Sequence, residues 1–202
     1  GSYLDLWVDG DLSYRFSPPA AVRRARKRQL EQGVFSGSEA EPLYGDTYLP
    51  RKFKVAVTVP GDNSVDLLTQ DIGLVAFTDP SGDLRGCNVY VGGGMGRTHN
   101  KEETFARIAD PLGYVDAADV FDLLQAIVAL QRDHGDRRIR RHARMKYLLE
   151  DRGIAWFRNE LKANYFSRPL KGLRNEAKPK LLDYLGWHRQ KAGLWFVGLP
   201  LL

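Results

Sequence analysis

The sequence predicts an α+β protein in which a mixed β-sheet from the first half of the chain is covered by helices from the second half. Two observations carry this prediction. Short apolar segments bounded by Pro, Gly and Asp fill residues 50–92, whereas residues 117–166 place apolar side chains at helical spacing. The chain has 202 residues, of which 43% are hydrophobic, and this suits one full domain with its own core.

The first half is predicted to contribute strands. Residues 3–8 alternate and end at Asp9-Gly10, which is a typical hairpin signal. Further strands are predicted at residues 53–59, 72–77 and 84–91, with turns between them. A basic segment at residues 22–32 predicts a short helix, and residues 33–41 predict an exposed loop.

The second half is predicted to be helical. Asp116 can cap a helix over residues 117–134, with Gly135 ending it. Two further helices are predicted at residues 137–151 and 154–165. A polar linker and a new pair of strands follow, so the predicted domains are 1–166, a linker at 167–179 and the start of a second unit at 180–202.

Composition narrows the class of partner. The net charge is +5 and the isoelectric point is about 9.3, which favours a nucleic acid, an anionic small molecule or an acidic protein. The single cysteine, Cys87, excludes an internal disulfide and a cysteine-only metal site, and the four histidines lack ligand spacing. No apolar run approaches the roughly 20 residues of a membrane span.

The segment PRKFKVAVTVP at residues 50–60 predicts a strand with two different faces. Phe53 and the valines that follow form one face, and Lys52 and Lys54 lie on the other, roughly 6.6 Å apart. Two lysines can protect a sheet edge from pairing with other chains. They can also bind an oxyanion, because a rigid element holds both charges in place.

Two further segments allow alternative interpretations. The glycines of VGGGMGRTH (91–99) suit either a flexible hairpin or a loop whose N–H groups face an anion. Arg137, Arg140, Arg141 and Arg144 form one stripe if the segment is helical, with Lys146 on the other side. Such a stripe is a solvated face, a nucleic-acid contact or a wall for a polycarboxylate cofactor.

Several motifs together resemble the sirohaem-containing assimilatory sulfite reductases, and most closely the ferredoxin-dependent type. They are PLYGDTYLPRKFKVAVTVPGDNSVDLLTQDIGLV, NVYVGGGMGRTH, QRDHGDRR and ARMKYLLEDRGIAWFR. DYLGWHRQKAGLWFVGL looks like the start of the family's second ferredoxin-like half-domain. The resemblance covers residues 3–197 and implies a six-electron reduction of sulfite to sulfide at a sirohaem coupled to a [4Fe–4S] cluster.

The resemblance also implies roles for individual residues. Lys52 and Lys54 match the family's two active-site lysines, which bind the substrate oxygens and help to deliver protons. The matches to regions around the sirohaem carboxylates are Arg51, Gly92, Gly93, Gly94, Arg137 and Arg144. Related nitrite reductases usually carry Asn at the position of Lys54, which favours sulfite.

The resemblance sets expectations for the chain as a whole. The family's cluster cysteines and other substrate-binding arginines have no match here, so the chain is expected to be a central part of the enzyme, inactive alone and without bound cofactor. Expected partners are sulfite, ferredoxin and the remaining domains, with no nucleic acid and no membrane, in the cytoplasm or a plastid. The alternatives are a sirohaem nitrite reductase fragment, a basic nucleic-acid-binding domain and a catalytically silent interaction module.

Overall fold

The structure, a computed structural model, describes residues 4–8, 11–16, 43–44, 49–177, 185–190 and 193–199. Two strands, β1 (Leu4–Val8) and β2 (Asp11–Phe16), pair antiparallel and confirm the predicted hairpin. The segments predicted as a helix at 22–32 and as a loop at 33–41 lie outside the described residues.

The central sheet has four strands in the order β3-β4-β5-β6. They are β3 (Val55–Thr58), β4 (Ile72–Thr78), β5 (Leu84–Val91) and β6 (Asp110–Asp116). β3 runs parallel to β4 and the other neighbours are antiparallel, which confirms the predicted mixed sheet. The sequence pattern did not predict β6, because Pro111 and Gly113 interrupt it; a proline is tolerated on a strand at the edge of a sheet.

Two α-helices pack on the sheet. α1 (Val120–His134) follows a short 3₁₀ turn and ends at Gly135, as predicted, although the side chain of Asp116 makes no capping hydrogen bond. α2 (Met145–Glu160) continues into a π-helical turn, Leu161–Tyr165. Gly153, with φ of 78°, breaks the regular geometry of α2 where the sequence predicts a gap between two helices.

The helix predicted at residues 137–151 is wrong in its first half. Ile139 and Arg144 have extended backbones, with ψ angles of 97° and 151°, and only a 3₁₀ turn, Arg140–His142, separates them. Asp136 explains the irregular start, because its side chain accepts hydrogen bonds from the N–H groups of Arg138 and Ile139. The four arginines therefore do not form a helical stripe.

The hydrophobic core lies between one face of the sheet and the two helices. Alternate residues of β4 and β5 supply one wall, namely Ile72, Leu74, Ala76, Cys87, Val89 and Val91. From the β3 segment, Phe53, Val57 and Val59 pack against this core, as predicted, but Val55 is 42% exposed. In the segment before β3, Arg51, Lys52 and Lys54 are exposed, whereas Phe53 between them packs against the core.

Residues 171–176 contact the opposite face of the sheet. Lys171 exchanges two main-chain hydrogen bonds with Tyr114 of β6, and Arg174 and Glu176 bond Asn88 of β5.

The linker predicted at 167–179 stays a prediction, since only part of it is described. The predicted carboxyl-terminal strand pair is present as β7 (Gly186–Arg189) and β8 (Trp195–Gly198). Among the described residues, no helix has the length and apolar character needed to cross a membrane.

Candidate functional site

A cavity of about 500 Å³ lies where the segment before β3, the glycine segment after β5 and the start of α2 meet. Eight basic residues line it: Arg51, Lys52, Lys54, Arg97, Arg140, Arg141, Arg144 and Lys146. Gly96, Thr98, Thr104 and Tyr147 complete the lining, so none of the described lining residues is acidic. We call it the cation cavity. Such a concentration of positive charge favours an anionic ligand.

Lys52 and Lys54 are both exposed and both line the cation cavity, as does Arg51. β3 is also an edge strand of the described sheet, so edge protection remains a possible role for the lysines. Edge protection by the two lysines does not explain why other basic side chains line the same cavity. The shared cavity with Arg144 and Lys146 favours the anion-binding interpretation.

The glycines after β5 lie beside the cavity, but their N–H groups bond within the protein. Those of Gly92, Gly93 and Gly94 donate to the main-chain carbonyls of Asp71, Gln70 and Arg107. The alternative in which the N–H groups of this segment face an anion therefore does not fit these three glycines.

Close packing explains why glycine is needed at two of these positions. A Cβ at Gly93 would lie 2.2 Å from the carbonyl oxygen of Leu68, and one at Gly94 would lie 2.8 Å from Nη1 of Arg144. Gly94 therefore makes room for the guanidinium of Arg144.

Arg144 is held in the cavity wall by a buried ion pair. Its Nη2 donates to Oδ2 of Asp71 at 3.0 Å and to the carbonyl of Gly93 at 3.4 Å. The side chain of Asp71 is fully buried, and that of Arg144 is 14% exposed. Burial raises the pKa of Asp71, and the neighbouring Arg144 and the N–H of Lys54 oppose that shift.

Lys146 also belongs to the cavity, although the sequence analysis places it on the side opposite Arg144. That inference assumed one helix through both residues, whereas Arg144 is extended and precedes α2. The ammonium of Lys146 donates to the carbonyls of Gly94, Gly96 and Phe105, and its side chain is buried. Burial lowers the pKa of Lys146 and Arg144 lowers it further, while Asp71 opposes both.

Arg137 lies on a different cavity, of about 340 Å³. Its guanidinium donates to the carbonyl of Arg132. The lining there also includes the acids Asp136 and Asp151, so we call it the mixed cavity. Of the predicted site residues, the structure brings Arg51, Lys52, Lys54 and Arg144 together, beside Gly93 and Gly94, and leaves Arg137 apart.

The described residues contain no cluster of His, Cys, Asp or Glu side chains able to hold a metal ion. Cys87 lies in the core with no exposed surface, and burial raises the pKa of its thiol to about 12. It is therefore unsuited to act as a thiolate ligand. What the cation cavity can do is bind an anion and supply protons from its ammonium groups.

Comparison with known proteins identifies the family of the chain. A family described as the nitrite and sulphite reductase 4Fe-4S domain matches residues 26–170. A ferredoxin-dependent sulfite reductase of Synechococcus elongatus is 57% identical over the whole chain, which spans 32% of that relative. The beta subunit of the NADPH sulfite reductase of Saccharomyces cerevisiae is 38% identical over 96% of the chain, which spans 14% of it.

A solved structure shows the same fold. The NirA protein of Mycobacterium tuberculosis superposes with a TM-score of 0.60 at 31% identity, over 85% of this chain and 29% of that one. The chain thus spans about a third or less of the relatives that it matches. The predicted family and fold are confirmed, and the chain belongs to the nitrite and sulphite reductase family.

Proposed function

We propose that this chain is the oxyanion-binding part of a sulfite reductase that reduces sulfite to sulfide with six electrons. The cation cavity carries the proposal, because it concentrates eight basic side chains at the end of a rigid sheet. The ferredoxin-dependent relative supports ferredoxin as the electron donor. The cytoplasm or a plastid is the compartment that we expect.

In this proposal Lys52 and Lys54 bind the oxygens of sulfite. Each ammonium can donate a charge-assisted hydrogen bond, worth roughly 1.5–3 kcal/mol in a partly desolvated site. Each oxygen of sulfite leaves as water and so requires two protons. A lysine that donates a hydrogen bond to that oxygen is placed to transfer one of them, and solvent at the open side of the cavity can restore it.

The residues of the cation cavity fit a polycarboxylate cofactor such as sirohaem. Arg51 would hold one of its carboxylates through two parallel hydrogen bonds. Arg144, whose Nη2 already donates to Asp71 and Gly93, would add a contact from Nη1. When bound, the sirohaem and its coupled [4Fe–4S] cluster supply the electrons. The chain contains one cysteine, so the four cluster thiolates of the family must come from outside this chain.

The competing functions fit the geometry less well. Binding along a helical stripe of arginines, as for a nucleic acid, has no basis, since Arg137 and Arg144 face different cavities. Nitrite reduction remains an alternative within the family. Lys54 favours sulfite, because sulfite carries more negative charge than nitrite and a second ammonium stabilises it more.

The test uses a longer protein that contains this chain together with the missing parts, loaded with its cofactors. Sulfide release from sulfite should depend on reduced ferredoxin. With nitrite as substrate, the ratio of kcat to KM should be lower than with sulfite. A higher kcat/KM with nitrite than with sulfite would replace sulfite by nitrite in the proposal. Absence of both activities in a cofactor-loaded protein would refute it.

A further inference from the structure

We propose that Asp71 is a positioning residue, which sets the geometry of the cation cavity by tying Lys54 and Arg144 to one carboxylate oxygen. Oδ2 of Asp71 accepts hydrogen bonds from the main-chain N–H of Lys54 and from Nη2 of Arg144, each at 3.0 Å. The two donors belong to different walls of the cavity. Only the identity of the anion in this inference rests on the proposed function.

The contact with Lys54 extends the sheet by one residue. In the ladder between β3 and β4, Val55 pairs with Ile72, and the N–H of Ile72 donates to the carbonyl of Lys54 at 3.0 Å. The side chain of Asp71 supplies the acceptor for the N–H of Lys54, in place of a main-chain carbonyl. The backbone of Lys54 is thus fixed on both sides of its Cα atom, which sets the direction of its side chain.

The same residue fixes the other two cavity segments. The carbonyl of Asp71 accepts the N–H of Gly92 at 2.9 Å, so it holds the start of the glycine segment. Its carboxylate holds the guanidinium of Arg144, which also donates to the carbonyl of Gly93. Asp71 therefore contacts the lysine strand, the glycine segment and the arginine before α2.

If the pair between Asp71 and Arg144 served stability alone, we would expect each partner to form two hydrogen bonds with the other. Oδ1 of Asp71 and Nε of Arg144 are both buried without a hydrogen-bond partner among the described residues. The pair is therefore held through one oxygen and one nitrogen, although both partners could form two bonds. Because Arg144 and Lys54 both bond Oδ2, their relative positions are fixed. The ion pair itself has one hydrogen bond where two were possible.

Two explanations of the role of Asp71 predict opposite changes in anion affinity when it is substituted. If its negative charge merely offsets the cavity, any neutral substitution should strengthen anion binding, because the cavity gains net positive charge. If it positions Lys54 and Arg144, Asp71→Ala should weaken anion binding despite that gain. Asp71→Asn should then largely restore binding, since the amide oxygen can accept both hydrogen bonds.

The experiment titrates the 202-residue chain with sodium sulfite and, separately, sodium sulfate at constant ionic strength, followed by calorimetry. We expect Asp71→Ala to bind sulfite at least about tenfold more weakly than the wild type. Asp71→Asn should stay within about threefold of the wild type. The matched control is Glu103→Ala, which removes a carboxylate paired with Arg141 of the same cavity and makes no hydrogen bond to Lys54 or Arg144. It should bind sulfite as tightly as the wild type or more tightly.

A double-mutant cycle separates positioning from general stability. In a Lys54→Ala background, Asp71→Ala should lose the part of its effect on sulfite binding that acts through Lys54 and keep the part that acts through Arg144, so the two substitutions should be non-additive. Hydrogen exchange of the Lys54 amide should be fast in Asp71→Ala and slow in Asp71→Asn. If Asp71→Ala does not fold, Arg144→Lys tests the same link, since a lysine keeps the charge but lacks the planar guanidinium that bonds Asp71 through Nη2 while Nη1 lies against Gly94. We expect it to weaken sulfite binding several-fold.

Three results would overturn the proposal. They are equal or tighter sulfite binding by Asp71→Ala, full additivity in the cycle, and wild-type affinity in Arg144→Lys where Asp71→Ala does not fold. A wild-type chain that binds neither anion would also overturn it, leaving Asp71 a structural residue. The binding test needs no electron donor. A parent protein that reduces no sulfite, combined with Asp71-dependent anion binding, would therefore refute the proposed function alone.

Discussion

The arginine-rich segment at residues 136–146 contributes to two cavities that differ in charge balance. The cation cavity receives Arg140, Arg141, Arg144 and Lys146 and has no acidic residue among its described lining residues. The mixed cavity receives Arg137 and Arg138, with Asp136 and Asp151 beside them. One short sequence therefore supplies cations to two different environments.

The difference between the two cavities shows which arginines can attract an external anion. In the mixed cavity, two aspartates share the lining with three arginines, so an external anion gains less there than in the cation cavity. In the cation cavity, Asp71 and Glu103 pair with Arg144 and Arg141 from outside the lining, and Lys146 donates to main-chain carbonyls. Lys52 and Lys54 are exposed and line the cavity. An arginine-rich sequence thus predicts an anion site only after the positions of its acidic neighbours are known.

The largest expected effect comes from removing both lysines of the cation cavity. In the parent enzyme, Lys52→Ala combined with Lys54→Ala should lower kcat/KM for sulfite at least about a hundredfold, since two charge-assisted contacts are lost. Steady-state assays with reduced ferredoxin would measure this. Activity within tenfold of the wild type would show that the cation cavity does not bind the substrate.

Arg137→Ala is the matched control for this comparison. It also removes a cation from the arginine-rich segment, but from the mixed cavity. Its kcat/KM for sulfite should stay within about twofold of the wild type, since surface charges act weakly at a distance in salt. A loss as large as that of the lysine variants would erase the distinction between the two cavities.

Substitution of one lysine should change selectivity. Lys54→Asn keeps a hydrogen-bond donor but removes one charge and one proton source. Sulfite turnover should fall at least about tenfold, equivalent to 1.4 kcal/mol, whereas nitrite turnover should fall much less. An unchanged ratio of the two activities would contradict the role assigned to Lys54.

Two neighbouring glycines should separate binding from stability. A Cβ at Gly94 meets the guanidinium of Arg144, so Gly94→Ala should displace that group, weaken its ion pair with Asp71 and weaken sulfite binding about threefold. A Cβ at Gly93 meets the backbone carbonyl of Leu68, which cannot move away locally. Gly93→Ala should therefore lower the melting temperature more than Gly94→Ala, as calorimetry would show. The reverse order would contradict this packing.

The smallest effect concerns the dependence of stability on pH. Burial raises the pKa of Asp71 above its ordinary value of 3.8, so the folded protein holds this proton more tightly than the unfolded chain. The contribution of Asp71 to stability is therefore fully present below 3.8 and is lost as the pH rises through the folded pKa. Asp71→Asn cannot ionise, so its free energy of unfolding relative to the wild type should increase from about pH 3 to about pH 7. A constant difference in urea unfolding would contradict the raised pKa.

Local patterns predicted the sheet better than the site. The strands β4 and β5 follow from apolar segments bounded by turns, and both are present. β6 was missed because a proline and a glycine are acceptable on an edge strand, and only the sheet as a whole reveals an edge.

The site depends on contacts between segments that are far apart in sequence. The resemblance to a known family supplied Lys52, Lys54 and Arg144, which the structure places together. It did not supply Asp71, which lies 17 residues from Lys54 and 73 residues from Arg144. The only local signal was a charged residue directly before a buried strand. Lys146 was misplaced because the extended backbone at Arg144 depends on the tertiary fold rather than on helix propensity.

The burial of Cys87 gives the chain an internal reporter of its own opening. The thiolate is the form that attacks an alkylating reagent, and this thiol is protonated at neutral pH and enclosed between the sheet and the helices. Modification therefore requires that the helical layer separate from β5, and its rate measures how often that separation occurs. Because the chain has one cysteine, a single mass increment records each molecule that has opened. Ligands that close the cation cavity would slow this labelling without contacting the sulfur.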